Sequence, residues 1–436
     1  MSVPLDRLYN HLDGLCNHDI LIYRFYPHGS KKLTDLIPLS DVKDRDWIHQ
    51  IKNPGAICHD QEPLFFDQYS QDDILNYFIH FAPSIATDPE LVETITTLIT
   101  AQHIRSVTGS RYSVYDKTLL VHSEKNSHDL MRYENAGFIG VYWWSHAAIA
   151  ADWYRYAQHD MRLIPNFGLV KKDFLIYNRA WSGTREYRLK FTECIVKSDL
   201  QDQCLITFNP ECESGHYLDF VPKNSVFAIQ QTNLEEHFKK CTVDGTASAD
   251  YNNQDYQSTA IELVLETLFD DTRWHLTEKS LRPIACGRPF MLAATPGSLQ
   301  YLREYGFKTF NGHIDESYDT VQDPVKRLET ICAEMKRITL LPEKQKLQLW
   351  NQLYEIAESN KKLFFSRTWQ QSIFDEFATN LNYSLTTLEH FKNGERWKSL
   401  RDAWNKDPSK IKLNNEVFLK SMQHQDEVKK LFKQYP

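Results

Sequence analysis

Short apolar runs rich in β-branched and aromatic residues alternate along this chain with segments of helical period, and few folds accept that alternation. Residues 19–27 (DILIYRFYP), 54–60 (PGAICHD), 118–124 (TLLVHSE) and 137–144 (GFIGVYWW) form a first series of strands. Residues 172–178 (KDFLIYN), 203–208 (QCLITF), 225–229 (SVFAI) and 288–294 (RPFMLAA) form a second. Strands separated by helices are joined by crossovers, which predicts parallel sheets of the doubly wound α/β kind. Between the series, Pro165, Asn166 and Gly168 end a helix expected over 145–159. The expected organisation is two Rossmann-like domains, residues 1–166 and 167–322, facing a cleft, followed by a helical extension over 323–436. In that extension, apolar residues recur at three- and four-residue spacing over 325–339, 343–365 and 368–380.

Composition excludes several classes. An apolar fraction of 42% and a charged fraction of 25% are those of a globular chain and not of a disordered one. There is no run of 18 apolar residues, and the first residues lack the uninterrupted apolar stretch of a signal peptide, so a cytoplasmic protein without a transmembrane segment is expected. The eight cysteines are scattered without a Cys-x-x-Cys pair and read as reduced core thiols. A net charge of −8 argues against a broad nucleic-acid surface, although residues 389–436 carry eleven Lys or Arg against seven Asp or Glu.

Residues 274–290 (WHLTEKSLRPIACGRPF) carry the strongest chemical signal. Thr277 suits an N-cap, Glu278 falls in the first turn, and Lys279 projects beside the exposed amides, so the helix start offers a fixed cation and backbone donors to an anion such as a diphosphate. Glu278 would accept hydrogen bonds from a ribose diol while Lys279 and Arg282 neutralise phosphates. A plain capped helix with solvated charges fits the same residues. A second anion site is expected at 174–191, where a strand ends in a loop with Arg179, Ser182, Gly183, Thr184 and Arg185; Gly183 lets a backbone approach a phosphate and the arginines can fork onto its oxygens. Arg188 and Lys190 are expected to face solvent or acidic partners. This is neither a Walker loop nor a GxGxxG turn.

On the first series of strands, His59, Asp60 and Glu62 follow an apolar strand. Pro63 holds Glu62 extended, and neighbouring Leu64 and Phe65 would raise its pKa toward that of a general base. Glu124 and Lys125 after one strand, and Trp144 and His146 after the next, are candidates to hold an acceptor. His146, Asp152, His159 and Asp160 match no metal-site spacing, so no metal and no cofactor are expected.

With the motifs YNRAWSGTREY (177–187), IELVLETLFDDTRWHLTEK (261–279) and ACGRPF (285–290) in place, the chain resembles a GT-B glycosyltransferase. Its donor half, residues 174–310, is similar to the α-1,3-fucosyltransferase family, and residues 295–319 are similar to glycosyltransferase-like proteins of bacteria and their viruses. The resemblance implies a ribose contact for Glu278, diphosphate contacts for Lys279 and Arg179 or Arg185, a place near the donor sugar for Glu262 or Glu266, and a general base at Glu62. The function expected is inverting, metal-independent transfer from a nucleotide-diphosphate sugar to a hydroxyl of a glycan or lipopolysaccharide. Two alternatives stand beside it: a sugar transferase acting on a hydroxymethylated base of DNA, and a nucleotide- or glycan-binding protein without turnover.

Overall fold

A computed structural model describes residues 20–24, 48–50, 55–60, 87–89, 118–126, 139–212, 215–230, 233–240 and 251–393. They divide between two compact units. One holds a sheet of β1 (Ile20–Arg24), β2 (Ile48–Gln50), β3 (Gly55–Asp60), β4 (Thr118–His122) and β5 (Ile139–Tyr142), in the order β2-β1-β3-β4-β5. The pairings β1–β3, β3–β4 and β4–β5 are parallel, and only the edge strand β2 is antiparallel. All four apolar runs of the first series therefore form parallel strands. In this unit Trp143 is buried against Phe377 at 4.9 Å, and Asn380 donates to the Tyr142 carbonyl at 3.0 Å.

The other unit comprises Glu124–Asn126 and Ser145–Ile373. Its elements are α1 (Ser145–Trp153), β6 (Lys172–Asn178), α2 (Tyr187–Lys197), β7 (Cys204–Phe208), a small ribbon of β8 (Glu211–Cys212) and β9 (Gly215–His216), α3 (Leu234–His237), β10 (Lys239–Lys240), α4 (Asn253–Ser258), β11 (Thr259–Leu265), α5 (Glu278–Cys286), β12 (Phe290–Ala293), α6 (Ser298–Glu304), α7 (Pro324–Thr339), α8 (Glu343–Phe364) and α9 (Arg367–Asn393), whose residues from Phe374 onward belong to the first unit. The sheet order is β10-β7-β6-β11-β12, with every pairing parallel. The chain thus builds outward from β6 through β7 to β10, then returns to the other side of β6 for β11 and β12. The reversal leaves a topological switch point between β6 and β11, where open α/β sheets leave a crevice at the carboxyl ends of the strands. β11 is buried at all seven positions, as a strand covered on both faces must be, which explains a sequence, TAIELVL, that is apolar apart from Thr259 and Glu262.

Three expectations are corrected. Residues 225–229 are not a strand: Asn224 accepts from Val226 N at 3.2 Å and starts a 3₁₀ turn over Ser225–Phe227, so the apolar run is a capped turn that buries Phe227. The strand beside β12 is β11, which was not among the strands expected. The division of the chain also moves. α1 packs with α5, which puts residues 145–166 in the same unit as β6. Residues 323–373 join the same unit, with Lys346 paired to Asp173 at 2.8 Å and Phe167 packed between Trp350 and Tyr354 at 5.8 and 5.4 Å.

Candidate functional site

α5 starts as its sequence requires. Thr277 is extended at the N-cap and its Oγ1 accepts from Lys279 N at 3.3 Å. The helix stops at Gly287, whose φ of 64° is left-handed and favours glycine. The Thr277, Lys279 and Ser280 amides at this end are already satisfied from within the protein. Glu266, fully buried just after β11, accepts from Thr277 N (2.9 Å) and Oγ1 (2.8 Å), Ser280 N (3.2 Å) and Oγ (2.6 Å), and Thr267 N (3.0 Å). A carboxylate so saturated fixes the helix start to the end of β11 and has no oxygen to spare for a sugar, which corrects the donor-sugar role expected of Glu266.

Glu278 and Lys279 remain at the edge. Glu278 is buried with its Oε1 3.0 Å from Lys279 Nζ and its Oε2 3.2 Å from His146 Nδ1. Burial pushes the Glu278 carboxyl up, but Lys279 and His146 outweigh it and hold the group well below the usual carboxylate range. It is therefore an anion, poised to accept hydrogen bonds. The Lys279 ammonium shares its three N–H groups among Glu278, Thr277 Oγ1 at 3.2 Å and Thr267 Oγ1 at 3.4 Å, and about a quarter of its side chain is exposed (23%). Of these, the Thr267 bond is the longest.

Arg179 follows β6 and Thr267 follows β11, so on these two adjacent strands the arginine loop and the start of α5 stand on either side of the switch point. Gly183 has a φ of 63° and open space where a Cβ would be, and Arg179, Ser182 and Arg185 are half-buried around it. The loop is braced from behind by Trp181, which donates to the Asn209 carbonyl at 2.7 Å, and by Arg188. Arg188 is buried and donates to Ala180 O (2.7 Å), Leu265 O (2.7 Å) and Glu266 O (3.0 Å). It is not the solvent-facing residue expected; its guanidinium satisfies carbonyls that the ends of β6 and β11 leave unpaired.

Glu262 and Arg282 also take structural places. Arg282 Nη2 lies 2.6 Å from Glu262 Oε1, Tyr256 donates to the other oxygen at 2.5 Å, and the guanidinium stacks over the half-buried Tyr177 at 4.4 Å; Arg282, Glu262 and Tyr256 are buried. Enclosed in this way, neither the carboxylate nor the guanidinium reaches a donor, contrary to expectation. The Gly-Arg-Pro turn is used likewise, with Arg288 bonded to Leu163 O at 3.1 Å and to Tyr354.

The acceptor candidates separate. Glu124 is buried in an ion pair with Arg273 (2.9 Å), Lys125 pairs with Glu304 (2.9 Å), and residue 125 forms an antiparallel bridge with Trp274, so both residues belong with the β11–α5 connection. Trp144 is fully buried and presents no face for a sugar to stack on. His146 lies beside Glu278 and meets His275 edge-on at 5.0 Å, which places it in the same group as the ribose candidate. His59 and Asp60 end β3, and Glu62 lies outside the described residues. Asp160 bonds Arg162 and is not brought to His146 as a metal ligand; among the described residues no cluster of three or more His, Cys, Asp or Glu is placed to hold a metal ion, and no helix is long and apolar enough to cross a membrane. His146 and Arg188 are the residues whose places sequence reasoning missed, because their partners are distant in the chain.

No protein-family model, curated protein or solved structure matches this chain.

Proposed function

We propose that the chain is a glycosyltransferase of GT-B type that takes a sugar from a nucleoside-diphosphate sugar and passes it to a hydroxyl of a glycan or lipopolysaccharide. The observation that supports this reading is that an ionised Glu278 and a partly exposed Lys279 open α5, which Glu266 ties to the end of β11, while the Arg179–Arg185 loop follows the adjacent strand β6. Glu278 accepts hydrogen bonds from the ribose hydroxyls, while Lys279, Arg179 and Arg185 meet the diphosphate. The bond between the anomeric carbon and the diphosphate oxygen breaks with its electron pair going to the leaving group, whose charge the cations stabilise. The acceptor oxygen forms the new bond, and its proton passes to a general base, the role that the resemblance implies for Glu62. Three cations at the diphosphate make a metal ion unnecessary in this scheme.

A mass-spectrometric screen of nucleotide sugars tests the proposal. The parent protein is expected to release a nucleoside diphosphate from at least one donor, and Lys279→Ala to lose most of that turnover. Release from none, or equal release by Lys279→Ala, would refute it.

A further inference from the structure

His146 opens α1, and nothing in its local sequence requires a histidine there. Its ring is nine-tenths buried, with Nδ1 3.2 Å from Glu278 Oε2 and the His275 ring edge-on at 5.0 Å. Both ring nitrogens are buried without a well-aligned hydrogen bond, Nδ1 meeting Glu278 only as the 3.2 Å ion-pair contact, a cost that a purely structural position would avoid by carrying an apolar side chain. The Glu278 carboxylate has two cationic or donor neighbours, Lys279 on Oε1 and His146 on Oε2, and they are not equivalent. Lys279 is already divided among three acceptors, so a phosphate draws it away from at least one of them. His146 is enclosed and stays, which makes it the group that fixes Glu278 while the lysine is engaged.

We infer that His146 is the positioning residue that orients Glu278 toward a ribose, giving the site its preference for ribonucleotides over 2′-deoxyribonucleotides. The inference rests on the nucleotide reading of the same site. A carboxylate held from one side presents its remaining lone pairs in a fixed direction, as a diol requires; one tethered only to a mobile lysine does not. Removal of the 2′-hydroxyl then costs a charge-assisted hydrogen bond in the parent and little in a protein whose Glu278 is misaligned.

The test is calorimetry of the full chain with ADP, CDP, GDP and UDP and their 2′-deoxy counterparts, on the parent, His146→Leu and His146→Asn. The parent is expected to bind at least one ribonucleotide on the order of tenfold more tightly than its deoxy form. In His146→Leu the ratio falls close to one, with the loss chiefly on the ribonucleotide. His146→Asn keeps an N–H near the Nδ1 position and restores most of the ratio; it also keeps the inference testable if the leucine variant does not fold. A parental ratio in folded His146→Leu would overturn the role of His146 alone, as would an equal weakening of ribo and deoxy forms in both variants. A parent that binds none of the eight nucleotides would overturn the nucleotide reading and this inference with it.

Discussion

Ser280 Oγ donates to Glu266 Oε1 at 2.6 Å, which joins the first turn of α5 to the residue just after β11. A helix start ordinarily exposes amide donors that an external anion can occupy. Here the internal carboxylate takes the Thr277 and Ser280 amides, and the Thr277 hydroxyl takes that of Lys279.

Glu266→Gln should therefore act on stability. The amide places an NH₂ among five donors that converge on the carboxylate, and leaving such buried donors unmatched costs about 1–3 kcal/mol. Urea denaturation of parent and variant measures this, and an unchanged midpoint would show that the five hydrogen bonds do not hold the helix start.

Arg282→Met alone should destabilise the fold by about 3–5 kcal/mol, because it leaves the Glu262 carboxylate buried without its cation. The double variant Glu262→Gln/Arg282→Met should recover much of that loss, and a double-mutant cycle reads the coupling. Purely additive effects would contradict the enclosed pair.

Asp319 supplies a pH signature. Its two oxygens each accept from Leu299 N at 3.2 Å in the first turn of α6, and burial pushes its carboxyl from 3.8 up to about 6. With the folded pKa raised, the stabilising contribution is complete below about pH 4 and is lost as pH rises through about 6. Between those limits the change is on the order of 3 kcal/mol. Measured in urea across this range, the unfolding free energy of the parent should therefore fall relative to that of Asp319→Asn by on the order of 3 kcal/mol as pH rises. A difference that stayed flat would show that the group titrates alike in both states.

What the sequence discloses of the site follows the distance over which each partner acts. The Thr277 cap was legible because donor and acceptor lie two residues apart. The parallel strands were legible because β-branched apolar runs between helical segments leave few alternatives. By contrast, Glu262 and Arg282 looked like ligand groups because their mutual partnership needs β11 and α5 to pack face to face. His146 looked like an acceptor residue because its approach to Glu278 needs α1 to join the second sheet's unit. Residues 225–229 misled for a local reason: Asn224 caps the turn, a signal that apolar content hid.

Chelation separates cation-based from metal-based stabilisation of the leaving diphosphate. Turnover on whichever nucleotide sugar proves active should persist in EDTA, since Lys279, Arg179 and Arg185 are assigned that charge. A rate that vanishes on chelation and returns with added Mg²⁺ or Mn²⁺ would remove this part of the scheme.

The most direct test of the central claim, a nucleotide bound through Glu278 at the start of α5, is the calorimetric affinity of Glu278→Ala beside the parent for each nucleoside diphosphate. Loss of the charge-assisted ribose contact predicts affinity weaker by about 1–3 kcal/mol in a variant that remains folded. Unchanged affinity for every nucleotide that the parent binds would contradict the account.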